Sequence, residues 1–79
     1  MDPWLEQARE RLSEAVGASP EDYALDEAEV DRLLELARIA AHESGERINA
    51  PLICYLVGLA RGRHGGELDD LVDKTVGTP

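Results

Sequence analysis

The chain has 79 residues, 17 acidic and 8 basic side chains, a net charge of −9 and one cysteine. This length fits one small domain, and a single cysteine excludes an intrachain disulfide. Because an acidic chain repels phosphate groups, we predict that it binds neither nucleic acid nor an anionic membrane. The longest apolar run has nine residues, against the ~20 that a spanning helix needs. With no signal-like segment at its start, the sequence predicts a cytoplasmic protein.

The first predicted helix begins at Asp2-Pro3, where Asp can cap free amides and Pro fits the first turn, and it ends at Gly17. Its apolar residues recur at helical spacing on one stripe: Trp4, Leu5, Ala8, Leu12, Ala15 and Val16. Ser19-Pro20 repeats the start signal, but few residues follow before the next one. The pattern therefore predicts a single short helical turn there.

The second long helix is predicted to begin at Asp26, which has capping-box spacing with Glu29, and to end at Gly45. One apolar face runs through it, widened by Leu36 and Ile39: Val30, Leu33, Leu34, Ala37, Ala40, Ala41 and Ser44. This regular pattern makes it the best specified helix of the chain.

Asn49 is predicted to cap a third helix, which Gly62, Gly65 and Gly66 terminate. Its apolar residues cover most of the circumference, which predicts the central, buried helix of the fold: Leu52, Ile53, Tyr55, Leu56, Leu59 and Ala60. Small residues recur at Cys54, Gly58 and Gly62, and we expect them to allow close approach of a neighbouring helix.

A fourth helix is predicted over Glu67–Val76, with acids leading and Lys74 trailing as the helix dipole favours. No alternating β-branched run predicts a strand. The expected fold is all-α, a compact four- or five-helix bundle without a sheet. It forms a single domain over residues 1–79, with a frayed tail at 77–79.

Charge is distributed unevenly along the chain. Residues 1–46 hold 13 acids and 4 arginines, whereas residues 47–66 hold no acid and 3 arginines: Arg47, Arg61 and Arg63. The simplest interpretation is a buried helix with dipole-complementing arginines at its end. The alternative is a site for a phosphate or carboxylate beside Arg61 and Arg63, because guanidinium groups match those anions. The nearby glycines do not form a P-loop.

A second polar group has members four residues apart, namely Arg38, His42 and Glu46, with Arg47 and Asn49 close behind. Such a group is most simply a solvated helix face with weak ion pairs. It could instead be a binding cluster where the second and third helices meet. The candidate binding residues are therefore Arg38, His42, Glu46, Arg47, Asn49, Arg61 and Arg63.

The sequence provides no motif for catalysis or metal binding. His42 and His64 are the only histidines, and neither CxxC nor HxxxH spacing occurs. Cys54 lies in an apolar run, which predicts an inert thiol. We therefore expect no enzyme activity, no metal and no cofactor.

The central stretch resembles a known family in three blocks: Leu34–His42, Glu46-Arg47, and Ala50–Leu52 with Tyr55–Arg63. It is similar to a small actinobacterial domain of unknown function that occurs alone or fused to molybdopterin-guanine dinucleotide biosynthesis proteins. This chain departs from that family at Ile48-Asn49, where a proline is expected, and at Cys54, where threonine is common. The resemblance implies a setting in molybdenum-cofactor biosynthesis or delivery, and no catalytic motif.

The favoured function is a non-enzymatic helical accessory domain that binds a protein partner. One alternative is a binder or chaperone of an anionic, phosphate-bearing cofactor, although 79 residues can hardly enclose a pocket of ~300 Å³. Another is a self-associating structural bundle, and a homodimer would fit either the second or the third hypothesis.

Overall fold

A computed structural model describes residues 2–76. It contains four α-helices, α1 (Pro3–Val16), α2 (Glu27–Ser44), α3 (Asn49–His64) and α4 (Leu68–Val76), and a 3-10 turn at Pro20–Tyr23 between α1 and α2. No strand occurs among the described residues. The predicted all-α bundle of four or five helices is confirmed. The tail predicted at 77–79 lies outside the described residues.

The local start and stop signals act as the sequence predicts in α1 and α2. The Asp2 carboxylate accepts a hydrogen bond from the Leu5 amide at 3.1 Å, and Gly17 ends α1 with φ +70°. Asp26 and Glu29 form a reciprocal capping box at 2.8 and 3.0 Å. These contacts satisfy amides that the first helical turn leaves unpaired.

Two predictions about the ends of α3 are wrong. Asn49 does not cap this helix: the N-cap is Ile48, which makes no side-chain capping bond. Gly62 does not terminate it, since α3 continues to His64 and ends at Gly65, where φ is +76°. The chain could place Asn49 inside the helix because two preceding turn bonds, one between the Asn49 amide and the Glu46 carbonyl, already orient the first turn.

The core lies within α2, α3 and α4. Its buried apolar side chains are Leu36, Val57, Leu68 and Val72, with Leu33, Ile53, Cys54, Leu71 and Val76 packed against them. The only buried polar residue among those described is Ser13 in α1, whose hydroxyl donates to the Arg9 carbonyl at 2.9 Å. We call α2, α3 and α4 the helical body.

The segment from α1 through the 3-10 turn, residues 3–23, packs on itself, and we call it the N-terminal arm. Arg9 joins its two parts by donating to the Pro20 carbonyl at 3.1 Å. No Cα atom of α1 lies within 8 Å of a Cα atom in α2, α3 or α4. The expected close approach at Gly58 and Gly62 is also wrong, because a Cβ at either position would meet no atom within 4 Å.

Candidate functional site

Four large apolar side chains, one at the N-cap of α3 and three within the helix, are exposed to solvent at helical spacing. They are Ile48, Leu52, Tyr55 and Leu56, and each is between 55 and 68% exposed. Positions i, i+4, i+7 and i+8 share one side of a helix. We call these four residues the outer face of α3. Scattered exposed apolar residues are ordinary, whereas a contiguous exposed apolar patch is typical of an interaction surface or a ligand groove.

This surface exists because only one half of α3 is covered. Its inner half, centred on Val57, packs against α2 and α4. No third helix lies on the other half, since α1 does not approach α3. The prediction that α3 is the central, buried helix is therefore wrong. Its all-round apolar sequence remains, and half of it faces solvent.

An open groove of about 430 Å³ lies beside the outer face of α3. Leu52 and Leu56 belong to both features, so the two form one continuous surface. The groove is completed by residues of α2, the start of α3 and the end of α4: Ala40, Glu43, Ser44, Asn49, Ile53, Thr75 and Val76. Its mixture of apolar walls and a few polar groups suits a side chain or a short helical segment.

Arg61 is tied into the helical body. Its Nη1 lies 2.9 Å from Oε2 of Glu29, and its Nε donates to the Gly66 carbonyl at 3.3 Å. The pKa of Glu29 is lowered, first by the hydrogen bond from the Asp26 amide and then by Arg61. Arg61 thus joins the end of α3 to the start of α2.

The concavity beside Arg61 does not have the charge that an anion site requires. It measures about 200 Å³ and is lined by four carboxylates against the single guanidinium: Asp26, Glu29, Glu67 and Asp69 beside Arg61. Because the acids outnumber the arginine, this concavity favours neither phosphate nor carboxylate.

The other predicted site residues are exposed and separate. Arg38 and His42 lie on the solvent side of α2, and Glu46 and Arg47 lie in the α2–α3 loop. Within residues 2–76, none of the side chains of Arg38, His42, Arg47 and Arg63 has a hydrogen-bond or ion-pair partner. The four concave regions described contain only Asn49 and Arg61 of the seven predicted residues, each in a different one.

Sequence reasoning missed the residues that define the strongest surface. The apolar pattern predicts that Tyr55 and Leu56 are buried, whereas only two helices cover α3 and both side chains are exposed. The sequence carries no signal for this exposure, because the separation of α1 from α2, α3 and α4 is visible only in the structure. Sequence reasoning also missed Arg32, which lies near three carboxylates of α2 and α4, with its Nε 3.3 Å from Oδ1 of Asp69.

Three further features of the described residues bear on function: the Cys54 thiol, the grouping of metal-binding side chains and the apolar length of the helices. Burial raises the pKa of the Cys54 thiol, which keeps it protonated and weakly nucleophilic. No group of three or more His, Cys, Asp or Glu side chains is placed to hold a metal ion within residues 2–76. Across the same range no helix has the length and apolar character needed to cross a membrane.

Together the fold and the surface define a small all-α domain with an uncovered apolar face on α3. The chain belongs to a family described as a domain of unknown function, DUF6457, whose family model matches residues 1–78. That match confirms the resemblance to a small domain of unknown function, and its actinobacterial source and fusions stay predictions. No curated protein and no solved structure matches the chain.

Proposed function

We propose that this chain is a non-enzymatic interaction domain that binds a protein partner through the outer face of α3. The observation that carries the proposal is the row of four large apolar side chains, which includes Tyr55 at 67% exposed. Covering each such side chain stabilises a complex by about 1.5–3 kcal/mol before binding costs are subtracted. Tyr is also among the residue types that dominate binding energy at interfaces.

The groove beside the outer face supports a helical partner segment. An amphipathic helix places apolar side chains at i, i+3, i+4 and i+7, which matches the spacing of the row on α3. Arg47 directly precedes this row, and Arg63 follows it about two helical turns later. Neither has a partner among residues 2–76, so both are available to acidic side chains flanking such a helix. The polar residues predicted from the sequence would then contribute orientation more than affinity.

The resemblance to a domain fused to molybdopterin-guanine dinucleotide biosynthesis proteins supplies the first candidates for a partner. They are proteins of molybdenum-cofactor biosynthesis or delivery in the cytoplasm. The alternative of an anionic-cofactor binder has less support, because Arg61 is engaged by Glu29 and no described concavity brings two of the predicted arginines together.

Site-specific photo-crosslinking in the source cells tests the proposal. A benzoylphenylalanine at position 55 should give one discrete adduct, whose mass identifies the partner. The matched control places the same residue at Asp70, which is exposed on α4. An adduct at 55 and none at 70 supports docking on α3. Equal labelling from both positions, or none from 48, 52 and 55, would overturn it.

A further inference from the structure

Two apolar faces of this chain are exposed to solvent. One is the outer face of α3, and the other is the stripe of α1, whose exposed members are Trp4, Leu5, Leu12 and Val16. We propose that these faces bind each other between two copies, so that α1 of each copy docks on the outer face of α3 of the other. This inference rests on the proposed function, because it names the partner of the same surface.

The exposure of α1 follows from its separation from the helical body. Part of its stripe is covered locally, since Leu5 and Leu12 line a small apolar concavity with Tyr23 and Leu25. The rest is open, and Trp4 is 67% exposed. A 14-residue helix that packs only on one 3-10 turn is marginal in water. A helix with strong caps and an apolar stripe therefore needs a surface to bind.

The area left uncovered is large enough for a stable dimer. The chain exposes 5977 Å², whereas a folded monomer of its mass is expected to expose about 4700 Å². The excess of about 1300 Å² exceeds the ~800 Å² per partner that a standard interface buries. The radius of gyration, 13.3 Å, is likewise above the ~11.6 Å expected for this length.

A two-fold arrangement makes both contacts at once. In an isologous dimer each chain gives its α1 and receives the other's, so the assembly closes with no apolar face left for a third copy. The short segment between the arm and α2, residues 24–26, sets how far α1 can reach from its own body. In the dimer, α1 of the other copy would thus cover the half of each α3 that is exposed in a single chain.

Sedimentation equilibrium at concentrations from about 1 to about 200 µM, which bracket a dissociation constant on the order of 10 µM, is the primary test. We expect a mass of about 17 kDa at the upper end, twice the 8.6 kDa of the chain. Trp4 is the only tryptophan, so its emission should shift to the blue with the same concentration dependence. A mass of 8.6 kDa throughout would overturn the inference, and a blue-shifted Trp4 in that monomer would show α1 folded onto its own body instead.

Matched variants locate the interface. Tyr55→Glu on α3 and Leu12→Glu on α1 should each weaken the dimer by at least about 100-fold. Lys74→Gln changes the net charge equally on the exposed side of α4, and Gln7→Glu puts the same residue on α1 outside the stripe. Both controls should dimerise as the parent does. Circular dichroism confirms that each variant keeps its helices, and equal weakening by controls and variants would overturn the assignment of the faces.

Mixing the two disabled variants tests which face binds which. Tyr55→Glu retains an intact α1 and Leu12→Glu retains an intact α3, so their mixture keeps one of the two contacts. Native mass spectrometry should show a heterodimer where each variant alone is monomeric. If α1 paired with α1 and α3 with α3, every contact between the two different variants would contain a substituted residue, and each variant alone would still dimerise through its unsubstituted face. Absence of the heterodimer at 200 µM, a concentration well above that of an ordinary weak pair at about 10 µM, would overturn the α1–α3 pairing.

The outcomes separate this inference from the proposed function. If the chain stays monomeric while position 55 crosslinks to a different protein, the second copy is wrong and the interaction domain stands. If position 55 gives the mass of a second copy, both stand. If the chain is monomeric and position 55 gives no adduct, both fail.

Discussion

The helical body and the N-terminal arm are built from the same local signals but differ in what holds them together. In both, an aspartate caps the first turn and a left-handed glycine ends the long helix: Asp2 with Gly17, and Asp26 with Gly45. Only the body has a cluster of buried apolar side chains. The comparison teaches that caps decide where a helix begins and ends, whereas burial of its apolar stripe depends on a partner being in reach.

Electrostatic contacts follow the same division. In the body, Arg32 joins α2 to Asp69 and Asp73 of α4, and Arg61 joins α3 to Glu29 of α2. In the arm, Arg9 donates hydrogen bonds to Glu6 and to the Pro20 carbonyl, both within the arm itself. The body is therefore cross-linked between helices, and the arm is bonded internally.

The largest expected effect on the free energy of unfolding comes from shortening a core side chain of the helical body. Leu36→Ala should lower the free energy of unfolding by about 2–5 kcal/mol, because Leu36 is fully buried and its loss leaves a cavity. Urea unfolding at one protein concentration measures it. The matched control is Leu34→Ala, two residues away and 64% exposed, which should change stability by less than about 0.5 kcal/mol. Equal losses would show that Leu34 is covered in solution.

A smaller effect is expected from the ion pairs that bind α4 to α2. Arg32→Met should cost about 1–2 kcal/mol, since it removes bonds to the carboxylates of Asp69 and Asp73, which remain partly solvated. Arg38→Met is the control, because Arg38 is exposed and has no ion-pair partner among residues 2–76. Thermal unfolding followed by circular dichroism compares them. A loss at Arg38 as large as that at Arg32 would contradict the division between paired and solvated arginines.

The sequence predicted much of this fold because its signals are local. Capping residues, prolines in first turns and glycines at helix ends lie within a few residues of the amides that they serve, so α1, the 3-10 turn and α2 were located correctly. The start of α3 was not predicted correctly, because its first turn has no side-chain cap. Backbone hydrogen bonds to the carbonyls of Glu46 and Arg47 orient this turn instead.

The candidate site could not be predicted in the same way, since it depends on which helices do not pack against α3. The residues Ile48, Leu52, Tyr55 and Leu56 have the composition of a core, and only the position of α1 leaves them exposed. The paired state of Arg61 also depends on Glu29, 32 residues away. Periodicity shows which residues share a helix face, but it does not show which face has a neighbour.

The ion pair between Glu29 of α2 and Arg61 of α3 also predicts that the stability of the helical body depends on pH. The pKa of Glu29 lies below its ordinary value of 4.5, because the Asp26 amide and then Arg61 bond the charged carboxylate. A lowered native pKa means that this stabilisation is present above pH 4.5 and is lost as the pH falls through the native pKa.

Glu29→Gln removes that charge and should cost about 0.5–1 kcal/mol at pH 7, with the gap to the parent closing below pH 4.5. Glu27→Gln, also in the first turn of α2, is the control and should show a smaller gap. Urea unfolding across this pH range measures both. A gap that persists in acid would mean that the carboxylate contributes through shape and not through charge.

The smallest expected effect is at Gly17, and it tests the comparison most directly. Gly17 and Gly45 have nearly the same φ, +70° and +73°, and a Cβ at either would meet no atom within 4 Å. Substitution by alanine forces a left-handed alanine at both sites, at a cost of about 1 kcal/mol. At Gly45 this cost falls on α2, so the unfolding of the body should shift by that amount. At Gly17 it falls on α1, so at concentrations below dimer formation the urea midpoint should stay unchanged while α1 loses helicity by NMR. Equal shifts at the two glycines would mean that arm and body unfold as one unit.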